Sequence, residues 1–169
     1  MTVQRGPRLA VDVGSVRVGV AASDPDGLLA TPVETVQCDR YADAGVGRVV
    51  QLARERDVAC VYVGLPRHLS GREGSASEAA RNYGVRLARA VAPVPVHLVD
   101  ERMSTVSAHR SMHASGRPGR RHRAVVDQAA AVVILQAALD AERSAGRRVG
   151  EQVQTDDSSG GVERAEDSW

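Results

Sequence analysis

Arg8-Leu9-Ala10-Val11-Asp12-Val13-Gly14-Ser15-Val16-Arg17-Val18-Gly19-Val20-Ala21-Ala22-Ser23-Asp24 reads as two apolar strands, 8–14 and 16–23, joined at Gly14-Ser15. That spacing is the signature of a tight hairpin. Pro25-Asp26-Gly27 supplies turn chemistry before a third strand over 28–37, so the chain opens as an antiparallel meander. Asp12 interrupts the first of these strands. A carboxylate there is costly to bury unless a cation or a donor offsets it. It either accepts hydrogen bonds from the turn, as Asp often does, or belongs to a site, and other carboxylates arriving at the same place would decide between the two.

Working outward, residues 43–56 predict a helix with Val46, Val49, Val50 and Ala53 on one face. Residues 58–64 form a short apolar run of the kind found in parallel sheets covered on both sides. A polar loop leads to a helix over about 76–91, with Ser75 and Glu78 at capping-box spacing. Residues 95–99 give another strand, ending at Asp100-Glu101-Arg102, and Ser104 or Thr105 could cap a helix reaching about residue 113. A basic loop with Gly116, Pro118 and Gly119 precedes a long apolar helix over about 124–143. Three strands followed by helix, strand, helix, strand, helix and helix predict an α/β fold with a mixed sheet and helices on both faces. The division is a domain over 1–145 and an acidic tail over 146–169, polar, without periodicity and expected to be disordered.

A chain of 169 residues is long enough for one domain with a real core. No apolar run approaches the roughly 20 residues that span a bilayer, and the first residues lack the apolar stretch of a signal peptide. The expectation is a cytoplasmic protein without a membrane partner. Cys38 and Cys60 are the only cysteines, without CxxC spacing, so neither a zinc site nor a disulfide framework is expected. Cys60 reads as core, Cys38 as exposed, and His97 as a buried strand histidine. The formal charge of +1 conceals an acidic tail and a basic remainder in which arginine supplies every cation and lysine none.

Glu101 closes a buried strand, where open α/β sheets expose their active groups. Asp127 stands near the expected start of the last helix, a place acids also favour for capping and macrodipole reasons. Taken with Asp12, these residues resemble a specific family. Val11-Asp12-Val13-Gly14-Ser15-Val16-Arg17-Val18-Gly19-Val20-Ala21, Val63-Gly64-Leu65-Pro66, Asp100-Glu101-Arg102-Met103-Ser104-Thr105 and Val126-Asp127-Gln128-Ala129-Ala130 occur in the order of the YqgF (RuvX) family. Its members are Holliday-junction-resolvase-like proteins, also described as pre-16S rRNA processing nucleases. The resemblance covers about residues 8–143. It implies an RNase H-like fold: a five-stranded mixed sheet, first three strands antiparallel, flanked by helices. It also implies an acidic site at Asp12, Glu101 and Asp127. The chain departs from the family at Met103-Ser104-Thr105, where Leu-Thr-Thr is usual, in the loop Arg67-His68-Leu69-Ser70-Gly71, and at Tyr83, where Phe is common.

Phosphodiester hydrolysis places an attacking water and a leaving oxygen on opposite sides of phosphorus. Two divalent ions about 3.5–4 Å apart can stabilise both. Carboxylate oxygens suit Mg²⁺ or Mn²⁺, and the expected arrangement has Asp12 bridging two ions with Glu101 and Asp127 each holding one. The stretch from Arg102 to Val126 carries Arg102, Arg110, Arg117, Arg120, Arg121 and Arg123, three histidines and no acid. Lying between two of the acids, it reads as a phosphate-binding surface, to which Arg17 at the hairpin could contribute. Only three tyrosines and one tryptophan are present, so backbone charge and shape should outweigh base stacking. The expected activity is a metal-dependent nuclease acting on pre-16S rRNA or on branched DNA, where a homodimer would suit symmetric cutting. The competing reading is a non-catalytic nucleic-acid-binding or ribosome-assembly factor with a vestigial acidic site.

Overall fold

Alternation in the strands sorts residues between two faces, and the faces differ in bulk. Leu9 and Val11, Val18 and Val20, Val61 and Val63, and Leu98 point to one side, whereas Ala10, Ala21, Cys60, Tyr62 and Val99 point to the other. The computed structural model describes residues 3–38, 43, 45–104 and 120–155, the side chains of 120–122 excepted. In it the chain runs β1 (Arg8–Val13), β2 (Arg17–Ser23), β3 (Ala30–Gln37), α1 (Val46–Glu55), β4 (Cys60–Leu65), α2 (Ser75–Val91), β5 (Val96–Asp100), α3 (Arg120–Ala145) and β6 (Glu151–Gln152). One 3₁₀ turn, Glu101–Met103, follows β5 directly. The helix expected over about 104–113 lies almost entirely outside the described residues.

The strands form one mixed sheet in the order β3-β2-β1-β4-β5-β6. β1 pairs antiparallel with β2, and β2 with β3, while β1–β4 and β4–β5 are parallel. The hairpin turn is one residue longer than the sequence suggests: Gly14 donates its N–H to the Arg17 carbonyl at 2.9 Å, leaving Gly14, Ser15 and Val16 between the strands. The β2–β3 register breaks between Val20 and Ala21, so that Val20 faces Glu34 and Ala21 faces Pro32.

The branched face packs under α1 and α2, through Val46, Val49 and Leu52 of α1 and Ala80, Leu87 and Val91 of α2. The small-residue face takes α3, whose Ala130, Ala131, Ile134, Leu135, Ala138 and Leu139 are buried on it. Small side chains on both partners let α3 come close. A Cβ on Gly19 would lie 2.1 Å from the Asp127 carbonyl oxygen. This helix corrects the expectation about apolar runs. Arg123–Ala145 has the length and composition to cross a bilayer, with a mean hydropathy of 1.5 in its most apolar stretch. One third of that stretch is buried against the sheet.

Six strands stand where five were expected. Glu151 and Gln152, read from sequence as tail, pair antiparallel with Leu98 and His97 of β5. A two-residue strand is too short to show a period, which is why the pattern gave no sign of it. Gly150 makes the approach feasible, with φ +79° and no Cβ where one would stand 2.2 Å from the Leu98 carbonyl oxygen. Arg81 of α2 ties the strand down, donating to Glu151 at 3.0 Å and to Glu73 at 2.6 Å. Residues 156–169 lie outside the described part.

A buried ionic cluster fastens the far end of α3. Glu142 accepts from Arg8 at 2.9 Å, from Arg148 at 2.7 Å and from the Tyr62 hydroxyl. Burial alone would raise the Glu142 pKa, but hydrogen bonds from Tyr62, Arg148 and Arg8 outweigh it and hold the carboxyl below the usual range.

Candidate active site

Asp12 is 5% exposed and stands directly across β2 from Gly19. On its other side, one step beyond the Val11–Val63 pair, β4 presents Gly64. The acid therefore sits between two glycines on the α3 face of the sheet. Neither has a side chain to cover it, so strand-interior glycines, which normally weaken a strand, here make room for something else. Beside Gly19 that something is the backbone of α3. Beside Gly64 it is Glu101, whose Oε1 lies 2.8 Å from the position of an added Cβ.

Glu101 is the first residue past β5 and is 6% exposed. The turn that holds it is organised by its neighbour. Asp100 accepts from the Arg102 backbone N–H at 2.9 Å and from the Arg102 guanidinium at 3.0 Å and 2.6 Å. The guanidinium holds the Asp100 carboxyl below its usual pKa. Arg102 also reaches the Leu69 carbonyl at 3.4 Å, and Arg67 approaches Asp100 at 3.9 Å, so the loop over 66–74 is strapped to the end of β5. Ser77 finishes the loop, accepting from Gly74 at 3.2 Å and donating to the Pro66 carbonyl. Ser75, expected as a cap, is instead the first residue of α2.

Asp127 reaches the same end of the sheet from α3. The helix begins at Arg120, seven residues earlier, so Asp127 lies in its interior and neither caps it nor complements its N-terminal dipole. Its position is set by contacts on both sides: Thr35 donates to the Ala124 carbonyl at 2.7 Å and Gln128 donates to Thr35 at 3.2 Å. The carboxylate accepts from Arg17 Nε at 2.8 Å. β1, β5, α3 and β2 thus bring Asp12, Glu101, Asp127 and Arg17 to one end of the sheet, where β1 and β5 finish.

Other predicted residues fare differently. Arg102 is placed at this end of the sheet but engaged with Asp100. Arg123 is exposed near the start of α3. Arg120 and Arg121 lie in the first turn of that helix, their side chains outside the described residues, and Arg110 and Arg117 fall in the undescribed segment altogether. Sequence reasoning missed Gly19, Gly64 and Asp100. Glycines inside two apolar strands were the available signal for the first two, while nothing local marks Asp100 as the organiser of two arginines.

The donor set is carboxylate oxygen throughout, which suits a hard cation, and the space above Gly64 is already shaped round the Glu101 carboxylate. Among the described residues no three His, Cys, Asp or Glu side chains are gathered tightly enough to hold a single ion. The thiols offer nothing softer: the Cys60 pKa is pushed up to about 12 by burial, and Cys38 is half-buried with its pKa also raised by burial. His97 is buried, with its pKa lowered by burial, and its ring stands 5.9 Å from that of Tyr62.

The pattern of the RuvX family, described as Holliday junction resolvase, matches residues 6–141. The chain belongs to the RuvX family. Among RuvX relatives, a protein of Streptomyces coelicolor named "Putative pre-16S rRNA nuclease" is 54% identical over 152 residues, covering 90% of each chain. One from a Nocardioides species with the same name is 55% identical over 156 residues, covering 90% of this chain and 99% of the relative. The RuvX fold is RNase H-like. It resembles RuvC of T. thermophilus, solved in complex with a Holliday junction substrate, at a TM-score of 0.56 and 16% identity, over 85% of this chain and 98% of that one.

Proposed function

We propose that this protein is a divalent-metal-dependent nuclease that hydrolyses phosphodiester bonds in structured nucleic acid, and that its substrate is the 5′ region of precursor 16S rRNA. What supports the proposal is the placement of Asp12, Glu101 and Asp127 toward one end of the sheet, with Gly19 and Gly64 on either side of Asp12. Asp12, buried and central, is suited to hold both ions, with Glu101 and Asp127 each holding one. Such a division does not require all three acids to close round a point. When bound, the ions supply Lewis-acid stabilisation of the phosphoryl oxygens. The chain's own residues do the rest. The Gly64 cleft sets the Glu101 carboxylate, the Thr35 contacts set Asp127, and the arginines of 102–123 with Arg17 receive the backbone charge. The names of relatives sharing more than half their residues with this chain favour rRNA over a DNA junction.

The test is a cleavage panel in Mg²⁺ and in Mn²⁺ with precursor 16S rRNA, a four-way DNA junction and duplex DNA, and with Asp12→Asn alongside. Cleavage of the precursor by the wild type, lost in a folded Asp12→Asn protein, is the expected result. Cleavage of the junction alone would move the substrate to branched DNA. Tight binding without cleavage of any substrate would leave the non-catalytic assembly factor as the better reading.

A further inference from the structure

Arg17 opens β2 two residues before Gly19, and so shares the α3 face with Gly19 and its neighbour Asp12. Its guanidinium meets Asp127 through Nε and one carboxylate oxygen, at 2.8 Å, without the paired contacts of a two-pronged arginine–carboxylate bond. The two side chains are 21% and 26% exposed, open enough for water and ions to reach them. The other arginines tied to the sheet are held quite differently. Arg102 meets Asp100 through its backbone N–H, Nε and NH2, and Arg8 binds Glu142 and the carbonyls of Gly6 and Pro25. Among the described residues, Arg17 has Asp127 as its single side-chain partner. Among those residues this one replaceable contact tethers it.

We propose that Arg17 is an exchangeable counter-ion: it competes with a divalent cation for the Asp127 carboxylate, and on yielding that carboxylate it turns its guanidinium to a substrate phosphate. The proposal rests on the metal-holding role given to Asp127 above. A partly exposed pair held by one N–H contact is more readily displaced than a fully buried pair held by several, such as Arg8 and Glu142. A guanidinium released beside the acids is well matched to a phosphate, which it can bind through two N–H donors. The exchange makes the two ligands cooperative. Cation binding frees the phosphate ligand, and by reciprocity phosphate binding frees the cation ligand by the same factor.

Calorimetric titration of the full chain with Mn²⁺ tests the competition. Arg17→Gln removes the competing charge and should bind Mn²⁺ about three- to tenfold tighter than wild type, whereas Arg17→Lys, which keeps the charge, should stay within about twofold. In a second measurement, a short RNA duplex is titrated in Ca²⁺ and in EDTA at constant ionic strength. The wild type should gain affinity in Ca²⁺, and Arg17→Gln should lose most of that gain. If Arg17 serves only to brace α3 on the hairpin, Arg17→Gln will bind Mn²⁺ equally or more weakly, and the proposal fails while the metal site stands. If neither wild type nor variants bind Mn²⁺, the metal-holding role of Asp127 fails and takes the proposal with it.

Discussion

Gly64→Ala and Gly19→Ala place the same extra methyl on either side of Asp12, and the structure predicts that both lose activity but that only the second loses stability. A Cβ at Gly64 would meet the Ile134 Cδ1 atom at 2.7 Å and Glu101 Oε1 at 2.8 Å. Both are far ends of flexible side chains and can give by several tenths of an ångström. Neither glycine has a positive φ, so alanine is allowed by the backbone and gains about 0.4–1 kcal/mol from a less disordered unfolded chain. Gly64→Ala should therefore change stability by less than about 1 kcal/mol while pushing the Glu101 carboxylate aside. At Gly19 the obstacle is backbone: the Asp127 carbonyl oxygen at 2.1 Å and its carbon at 2.5 Å. To restore ordinary contact α3 must retreat by about 1 Å, at a cost of about 1–3 kcal/mol, and it carries Asp127 with it. Under the role proposed for Asp127, a displacement on that scale costs on the order of a hundredfold in rate. Urea denaturation followed by circular dichroism reads the first quantity, and single-turnover cleavage in saturating Mn²⁺ reads the second. The expected outcome is loss of activity in both proteins and loss of stability in Gly19→Ala alone. Wild-type cleavage by Gly64→Ala would refute the placement of Glu101 in the site, and an unchanged urea midpoint for Gly19→Ala would refute the close packing of α3.

Glu142→Gln should destabilise the protein by about 3–5 kcal/mol, since it leaves Arg8 buried without its counter-charge; a loss of unfolding free energy in urea of less than about 1 kcal/mol would count against the cluster as described. Because the Glu142 pKa is lowered in the folded protein, its contribution is present above the ordinary glutamate range and is lost as pH falls through the folded value. Wild-type stability should therefore fall steeply with acid, and the slope should flatten in Glu142→Gln. Arg102→Ala should loosen the 66–74 loop, seen as faster proteolysis there, because it removes the strap to Asp100 and Leu69. Deleting 156–169, rather than everything from Glu151, spares β6. It should tighten RNA binding at low salt and leave the melting temperature unchanged if the acidic tail competes for the basic surface.

The sheet was legible because its cues are local. A valine-rich hairpin, a buried strand at 58–64 and a second at 95–99 each carry their own pattern, and observed boundaries differ from the readings by one or two residues for most strands. The sequence puts Asp12, Glu101 and Asp127 forward together, but the packing that sets each of them cannot be read from it. Asp127 reads as a helix-start acid until the helix proves to begin at Arg120. The glycines beside Asp12 matter through register and helix approach, which are properties of packing. Arg102 reads as one more cation in a basic stretch, and only tertiary contact shows it committed to Asp100. Strand β6 escaped because two residues carry no period.

The ends of the sheet have a consequence for how the molecule meets its neighbours. A protein with this many valine strands would, with long straight outer strands, offer a template on which a second chain could add. Here the outermost strand at one side is two residues long, and the one at the other side is broken in register and holds Pro32, which has no N–H to donate. Strand-to-strand association is thereby blunted at both sides. A second copy at a symmetric substrate would have to meet this one through contacts other than main-chain pairing at these strands.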